Sequence, residues 1–303
     1  MAKQVPLPTG ELIDIGGYRL HMHWMGSGGP AVVMDAGLGA TSLLYELILP
    51  RIAEFTTAVA YDRAGYAWSD PAPSDVPRTS RQMMAELHTL LDRAAVPPPY
   101  VLVGNSFGGI NVIVYADLYP DEVAGLVLID PSTPGMFEIP GMPGPKTIEW
   151  SARILLPLAR LGVLRWFIGP LFKPVVPGWK NLPSDIWDAN LALSAQPLFY
   201  ETWAREAAAS EESFGRARQV GAALKDKPVL VLTGGEQWIK PRSPLLRPKA
   251  ITQEILSQRD AIAALSAKGE HRIIEGASHT MQVDYPDAVV QGVREVVEAA
   301  RRG

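Results

Sequence analysis

Between positions 100 and 118 a β-branched apolar run, Tyr100-Val101-Leu102-Val103, meets Gly104-Asn105-Ser106-Phe107-Gly108 and passes straight into a helical stripe of Ile110, Val114 and Leu118. A strand that becomes a helix within one residue forces that residue into a strained backbone conformation, and the turn closes only if its neighbours lack bulky side chains. Gly104 and Gly108 meet that need, so Ser106 is raised clear of the backbone beside a helix N-terminus. Free amides gather at such a terminus, and that of Phe107 points toward any oxyanion forming at the serine. Ser106 is therefore the candidate nucleophile and Phe107 a candidate oxyanion donor.

The same alternation of buried strand and helix recurs along the chain. Strands are predicted at 12–15, 18–25, 31–34, 56–61, 100–103, 125–129, 228–234 and 271–274, and helices at 80–94, 107–119, 251–267 and 286–301. Near-continuous apolar strands separated by helices imply a mostly parallel sheet covered on both faces, an α/β fold. The pattern breaks after Asp130. Residues 131–227 are rich in proline and carry five of the eight tryptophans, Trp150, Trp166, Trp179, Trp187 and Trp203. A linker would be polar, so this is an insertion. The expected division is a core of residues 1–132 and 224–303 with a helical cap at 133–223. The apolar stretch 154–172 is interrupted by Pro157, Arg160, Gly162, Arg165 and Pro170, which argues against a membrane span. A cap helix packed over the sheet is expected there, with a helix lying on a lipid surface as the alternative.

Charge and composition narrow the function. A formal net charge of -4 gives no footprint for nucleic acid, and the absence of cysteine excludes disulfides, thiol catalysis and thiolate metal sites. No metal or organic cofactor is implied. The first eight residues lack the apolar core of a signal peptide, so a cytoplasmic location is expected.

A serine nucleophile needs a base. Of the five histidines only His279 follows a core strand directly, in Glu275-Gly276-Ala277-Ser278-His279. Its loop would open at the same sheet edge as Ser106, because both follow the carboxyl ends of parallel strands. His21 and His23 are expected on a solvated strand face, and His88 on the outer side of its helix. Asp62 and Arg63 are expected to form a structural pair. The glycine-rich Asp35-Ala36-Gly37-Leu38-Gly39, straight after a core strand, lets backbone approach a substrate and offers the Leu38 amide as a second oxyanion donor.

Taken together, the segments 35–39, 61–70, 104–109, 125–131, 228–235 and 276–286 resemble the α/β-hydrolase superfamily across nearly all the chain outside the insertion. The resemblance implies an eight-stranded, mostly parallel sheet, a cap inserted after the sixth strand, and a triad in the order serine, acid, histidine. Departures from the family pattern occur at two places. Ala36-Gly37 stands where most members have histidine and glycine, and Gln237 or Trp238 stands where many have an aspartate after the seventh strand. Asn105 is similar to the residue that often precedes the nucleophile in carbon-carbon bond hydrolases. With the usual acid missing, Asp130, at the end of the sixth strand, is expected to orient His279, and Glu236 in the seventh-strand turn is the alternative. The implied activity is hydrolysis of a small-molecule carboxylic ester of medium size and apolar character. Gly37, Asn105, Trp166, Trp187 and Trp203 are expected to contact the substrate. Carbon-carbon hydrolysis or acyl transfer at the same site, and a ligand-binding protein without turnover, are the competing functions. Stable membrane insertion is not expected, and the oligomeric state is open.

Overall fold

The computed structural model describes residues 9–173, 176–220, 224–236 and 248–303. Gln237, Trp238, the basic loop with Lys240, Arg242 and Arg247, and the first eight residues lie outside them. The strands are β1 (Glu11–Asp14), β2 (Arg19–Met25), β3 (Ala31–Asp35), β4 (Ala58–Tyr61), β5 (Tyr100–Asn105), β6 (Val123–Ile129), β7 (Val229–Gly234) and β8 (Gly269–Ile274). They form one sheet of eight strands in the order β1-β2-β4-β3-β5-β6-β7-β8. β1–β2 and β2–β4 pair antiparallel, and every other neighbouring pair is parallel. This is the eight-stranded, mostly parallel α/β-hydrolase sheet expected from the resemblance.

Side chains alternate across the central strands, so each strand feeds two cores. Val33, Leu102, Leu126, Leu128 and Val231 point to one face. Val32, Met34, Val101, Val103, Val127 and Ile129 point to the other. The helices around the sheet are α1 (Leu49–Ile52), α2 (Ser80–Arg93) and α3 (Phe107–Leu118). Five more, α4 (Pro145–Arg160), α5 (Ile168–Phe172), α6 (Ser184–Ser194), α7 (Pro197–Ala208) and α8 (Ser210–Ala217), follow β6. The last three are α9 (Pro248–Ala263), α10 (Met281–Asp284) and α11 (Pro286–Arg302). On the first face lie α2, through Met84, Leu87 and Leu91, and α3, through Ile110 and Val114. On the second lie α1 and α11, whose Val289, Val293, Val296 and Val297 are buried at helical spacing. Each such side chain, taken fully out of water, contributes roughly 1.5–3 kcal/mol before entropy is counted.

Between β6 and β7 the chain leaves the sheet. Phe199 and Tyr200 of α7 pack with Ala159 of α4 and Ile168 of α5 onto Tyr66 in the loop after β4. Trp187 of α6 packs with Leu44, Leu182 and Val283. α8 behaves differently from its neighbours, because Phe214 and Ala217 belong to the core under α2 and α3. The apolar stretch 154–172 is not one helix. α4 ends at Arg160, and the chain turns at Gly162, where φ is +68°.

Two expectations are corrected near β2. His21 is buried at 1% exposure, because Trp68 covers its ring and Asp62 accepts from Nδ1 at 2.7 Å. Period-two alternation exposes a strand face only where nothing packs on it, and here the loop after β4 does. Asp62 and Arg63 do not pair. Asp62 serves His21 and Ser42, while Arg63 turns toward Asp35 and Glu206.

The parallel register brings the carboxyl ends of β3, β5, β6 and β7 level, with Asp35 opposite Gly104, Asn105 opposite Ile129, and Ile129 opposite Leu232. α3 can start at that edge only because its first turn presses on β3. A Cβ on Gly108 would stand 2.2 Å from the Asp35 carbonyl oxygen and 2.9 Å from that of Ala36. Gly108→Ala is therefore expected to cost at least about 1–3 kcal/mol, as overpacking does, measured as a lower urea midpoint at unchanged slope.

Candidate active site

Ser106 sits between β5 and α3 with φ 55° and ψ -118°, a strained combination for a residue with a side chain. Three backbone hydrogen bonds hold it there. Its N–H donates to Ile129 O, and its carbonyl accepts from Gly109 N and Ser132 N, each at 3.0 Å. The turn is so tight that a Cβ on Gly104 would lie 2.4 Å from Gly108 O and 2.6 Å from Gly109 N. Asn105, one residue before, is 2% exposed, and its side-chain amide donates to Ile129 O at 3.0 Å and His279 O at 3.2 Å. Its amide group ties the His279 loop to the end of β5.

His279 follows β8, and its Nδ1 lies 2.6 Å from Asp130 Oδ2. The second carboxylate oxygen of Asp130 accepts from Arg259 Nη1 at 2.6 Å and from Gly234 N at 3.0 Å. Asp130 is itself held at positive φ, 41°, directly after β6. Burial alone would push its carboxyl pKa up. The Arg259 guanidinium and the contact with His279 outweigh that and hold it well below the ordinary carboxylate range. Arg259 in α9, which also donates to Pro131 O and Thr233 Oγ1, was not singled out in the sequence. A helical arginine ordinarily signals a solvated face, and only its 4% exposure marks it as different.

A second buried charge cluster lies beneath the loop 36–39. Arg63 forms a fork with Glu206 at 2.9 and 3.0 Å, donates to Asp35 Oδ1 at 3.1 Å, and donates to the carbonyls of Ala36 at 2.6 Å and Gly37 at 2.9 Å. Asp35 also accepts from Tyr61 at 2.7 Å and Asn111 at 2.6 Å. With the carbonyls of Ala36 and Gly37 drawn toward Arg63, the loop is fixed from below. Among the described residues neither the Leu38 nor the Phe107 amide has an acceptor within the chain. A Cβ on Gly37 would come within 3.3 Å of Ser106 Cβ, so the loop lies close against the serine.

The remaining candidates separate. Glu236 is exposed, and its backbone N–H donates to Ala277 O; the structure brings Asp130, not Glu236, to His279 Nδ1. Trp166 is 66% exposed with Arg165 across its ring, and Trp187 is 6% exposed within the packing of α6. One is open to solvent, and the other is buried against Leu44, Leu182 and Val283. Trp203 does lie over the loop, with ring atoms 3.6 and 3.8 Å from where a Cβ of Gly39 would be. A narrow cleft beside His279 is lined by Pro131, Ser132, Thr133, Met136 and Met142. Met136 and Met142 are apolar side chains of that wall from the segment after β6, and no periodicity in the sequence distinguished them. Among the described residues no group of histidine, aspartate and glutamate side chains is arranged to hold a metal ion.

A family model described as the alpha/beta hydrolase family matches residues 32–292. The chain is 31% identical over 234 residues to the probable transporter efuK of Hormonema carpetanum, covering 74% of this chain and 31% of that protein. The matched part is thus about a third of that relative's length. It is 26% identical over 298 residues to (lyso)-N-acylphosphatidylethanolamine lipase of Bos taurus, covering 88% of this chain and 80% of the relative. Among solved structures it resembles a putative epoxide hydrolase of Pseudomonas aeruginosa, with a TM-score of 0.73, 19% identity and 98% of both chains covered. A thermophilic esterase of Thermogutta terrifontis gives 0.66 at 22% identity, covering 93% of this chain and 94% of that one. At these identities the solved structures speak to the fold alone.

The Arg259 and Asp130 pair makes a pH-dependent prediction. Because the folded state holds the Asp130 carboxyl below its ordinary value, the pair stabilises the protein fully above that ordinary value, and the contribution is lost as pH falls below it through the lowered folded-state value. Arg259→Met is expected to cost about 3–5 kcal/mol near neutral pH, the usual penalty for orphaning a buried charge. The deficit should narrow in acid as Asp130 takes up a proton, which denaturant titrations of both proteins across pH would record.

Proposed function

Because the chain belongs to the alpha/beta hydrolase family, we propose that it is a serine hydrolase of carboxylic esters with Ser106 as nucleophile, His279 as base and Asp130 as acid. The observation that carries this is the 2.6 Å contact from His279 Nδ1 to Asp130 Oδ2, made at the sheet edge that also presents Ser106 in its strained turn. Asp130 fixes the imidazole with Nδ1 protonated, so that Nε2 is the nitrogen that takes the Ser106 proton. Ser106 Oγ attacks the ester carbonyl, and the amides of Leu38 and Phe107 stabilise the tetrahedral oxyanion. His279 returns the proton to the departing alcohol, and water then cleaves the acyl-enzyme by the same path.

Two features favour esters over other substrates. A serine that opened an epoxide would be left as an ether, which water does not cleave, whereas attack on an ester carbonyl leaves an acyl group that it does. The carbon-carbon alternative rested on Asn105, whose side chain is taken up by the carbonyls of Ile129 and His279. The helices after β6 act as a cap in this proposal, with Met136, Met142 and Trp203 facing the acyl or alcohol group. Apolar walls of this kind suit medium apolar chains, and the bovine relative's name adds lipid acyl esters to the substrates to be tried.

Ser106→Ala and His279→Ala should each abolish p-nitrophenyl ester turnover with an unchanged circular dichroism spectrum. Asp130→Asn should lose about ten-thousand-fold, as a triad with the wrong tautomer does, while Glu236→Gln stays near wild type. Crippled turnover in Glu236→Gln with an active Asp130→Asn would move the acid to the seventh-strand turn. A series of acyl chain lengths should peak at medium apolar groups, and a peak on a charged acyl group would remove the cap from the pocket.

A further inference from the structure

α4 is apolar on two opposite sides. Its inner side carries the buried Ala152, and its Leu155, Leu156 and Ala159 pack with Phe199, Tyr200 and Tyr66. Its outer side carries Trp150, Ile154, Leu158 and Leu161, spaced four, four and three apart, with exposures of 64%, 45%, 41% and 75%. Beyond the turn at Gly162, Val163, Trp166 and Phe167 are also exposed, at 38%, 66% and 62%. Among the described residues, seven of the eleven exposed large hydrophobic side chains lie between positions 150 and 167. Single exposed apolar residues are ordinary, but this concentration in one short segment of the chain marks a surface that something covers.

Charge identifies the occupant. Between Pro145 and Lys173 there are five cations, Lys146, Arg153, Arg160, Arg165 and Lys173, against the single acid Glu149, a surplus of four in a chain whose net charge is -4. Arg153 and Arg160 reach Glu149 and Glu201 at 2.7 and 2.8 Å, yet their side chains stay more than 60% exposed. Arg165 lies over Trp166 at 5.3 Å, with an apolar ring and a cation at one height. We propose that this stripe docks the protein flat on an anionic phospholipid surface, with Trp150, Ile154, Leu158, Leu161, Trp166 and Phe167 at the acyl boundary and the arginines among the headgroups. Tryptophan and arginine are suited to that depth, since each joins an apolar body to a polar end. Among the described residues no helix is long and apolar enough to cross a membrane, so the contact is one of surface and not of span. A second copy of the chain fits less well, because a two-fold contact would set Arg153, Arg160 and Arg165 of one copy against the same residues of the other.

The proposal goes beyond ester hydrolysis and does not rest on it, so Ser106→Ala should bind lipid like the wild type. Sedimentation with vesicles of phosphatidylcholine containing about one third phosphatidylglycerol, and with phosphatidylcholine alone, tests it. Expected are stronger partitioning to the anionic vesicles, loss of that preference near 1 M salt, and at least about a tenfold drop for W150S/I154S/L158S. Should that variant fail to fold, quenching of wild-type tryptophan fluorescence by brominated phospholipid replaces it, and W150F/W166F should remove much of the quenching. Absence of binding to anionic vesicles, or quenching unchanged in W150F/W166F, would overturn the proposal. A dimer in sedimentation equilibrium that the triple substitution dissociates, together with no vesicle binding, would overturn it in favour of self-association.

Discussion

The guanidinium of Arg63 joins the parts of the molecule that have to agree. It is 3% exposed, and it reaches at once the last residue of β3, two carbonyls of the loop 36–39, and Glu206 on α7. An ion this deeply buried costs several kcal/mol to desolvate unless its partners are well placed. The arrangement is therefore cooperative. α7 must dock for Glu206 to arrive, and with Glu206 in place the carbonyls of the loop are drawn down. The insertion is thus not a detachable cover, because one of its own carboxylates completes the charge cluster under the proposed oxyanion loop.

The same sheet edge stores backbone strain twice. Ser106 and Asp130 are both at positive φ, each directly after a central parallel strand. Conformations of this kind cost about 1–3 kcal/mol apiece and persist only where the surroundings over-determine them. Here they are over-determined by the strand register. Ser106 N–H bonds to Ile129 O, Asp130 N–H bonds to Leu232 O, and the carbonyl of Ser106 takes Ser132 N–H. Each strained residue is anchored to the neighbouring strand, so β5, β6 and β7 hold one another's turns in place. Asp130 is then fixed well enough for one oxygen to meet Arg259 and the other His279.

Local pattern in the chain was enough to determine the eight strands, the helices α2, α3, α9 and α11, and the loops that carry Ser106 and His279. Those features follow from short-range causes: apolar runs, helical spacing, and glycines where Gly104 and Gly108 leave no room for a side chain. Partner choice among charged groups was not legible. Asp35, Asp62, Arg63 and Asp130 all stand at strand ends, where burial obliges each to find a partner, yet the partners are 20 to 149 residues away. Arg259 and Glu206 carry no local mark of burial, since either would look at home on a solvated helix face. The tryptophans were not distinguishable for the same reason, because composition cannot tell Trp187, buried in packing, from Trp166, which is exposed, or Trp203, which lies over Gly39. Sequence fixes what each segment wants to bury, through interactions within a few residues; only the tertiary structure decides which distant group meets it, because that depends on how the strands and the inserted helices come together in space.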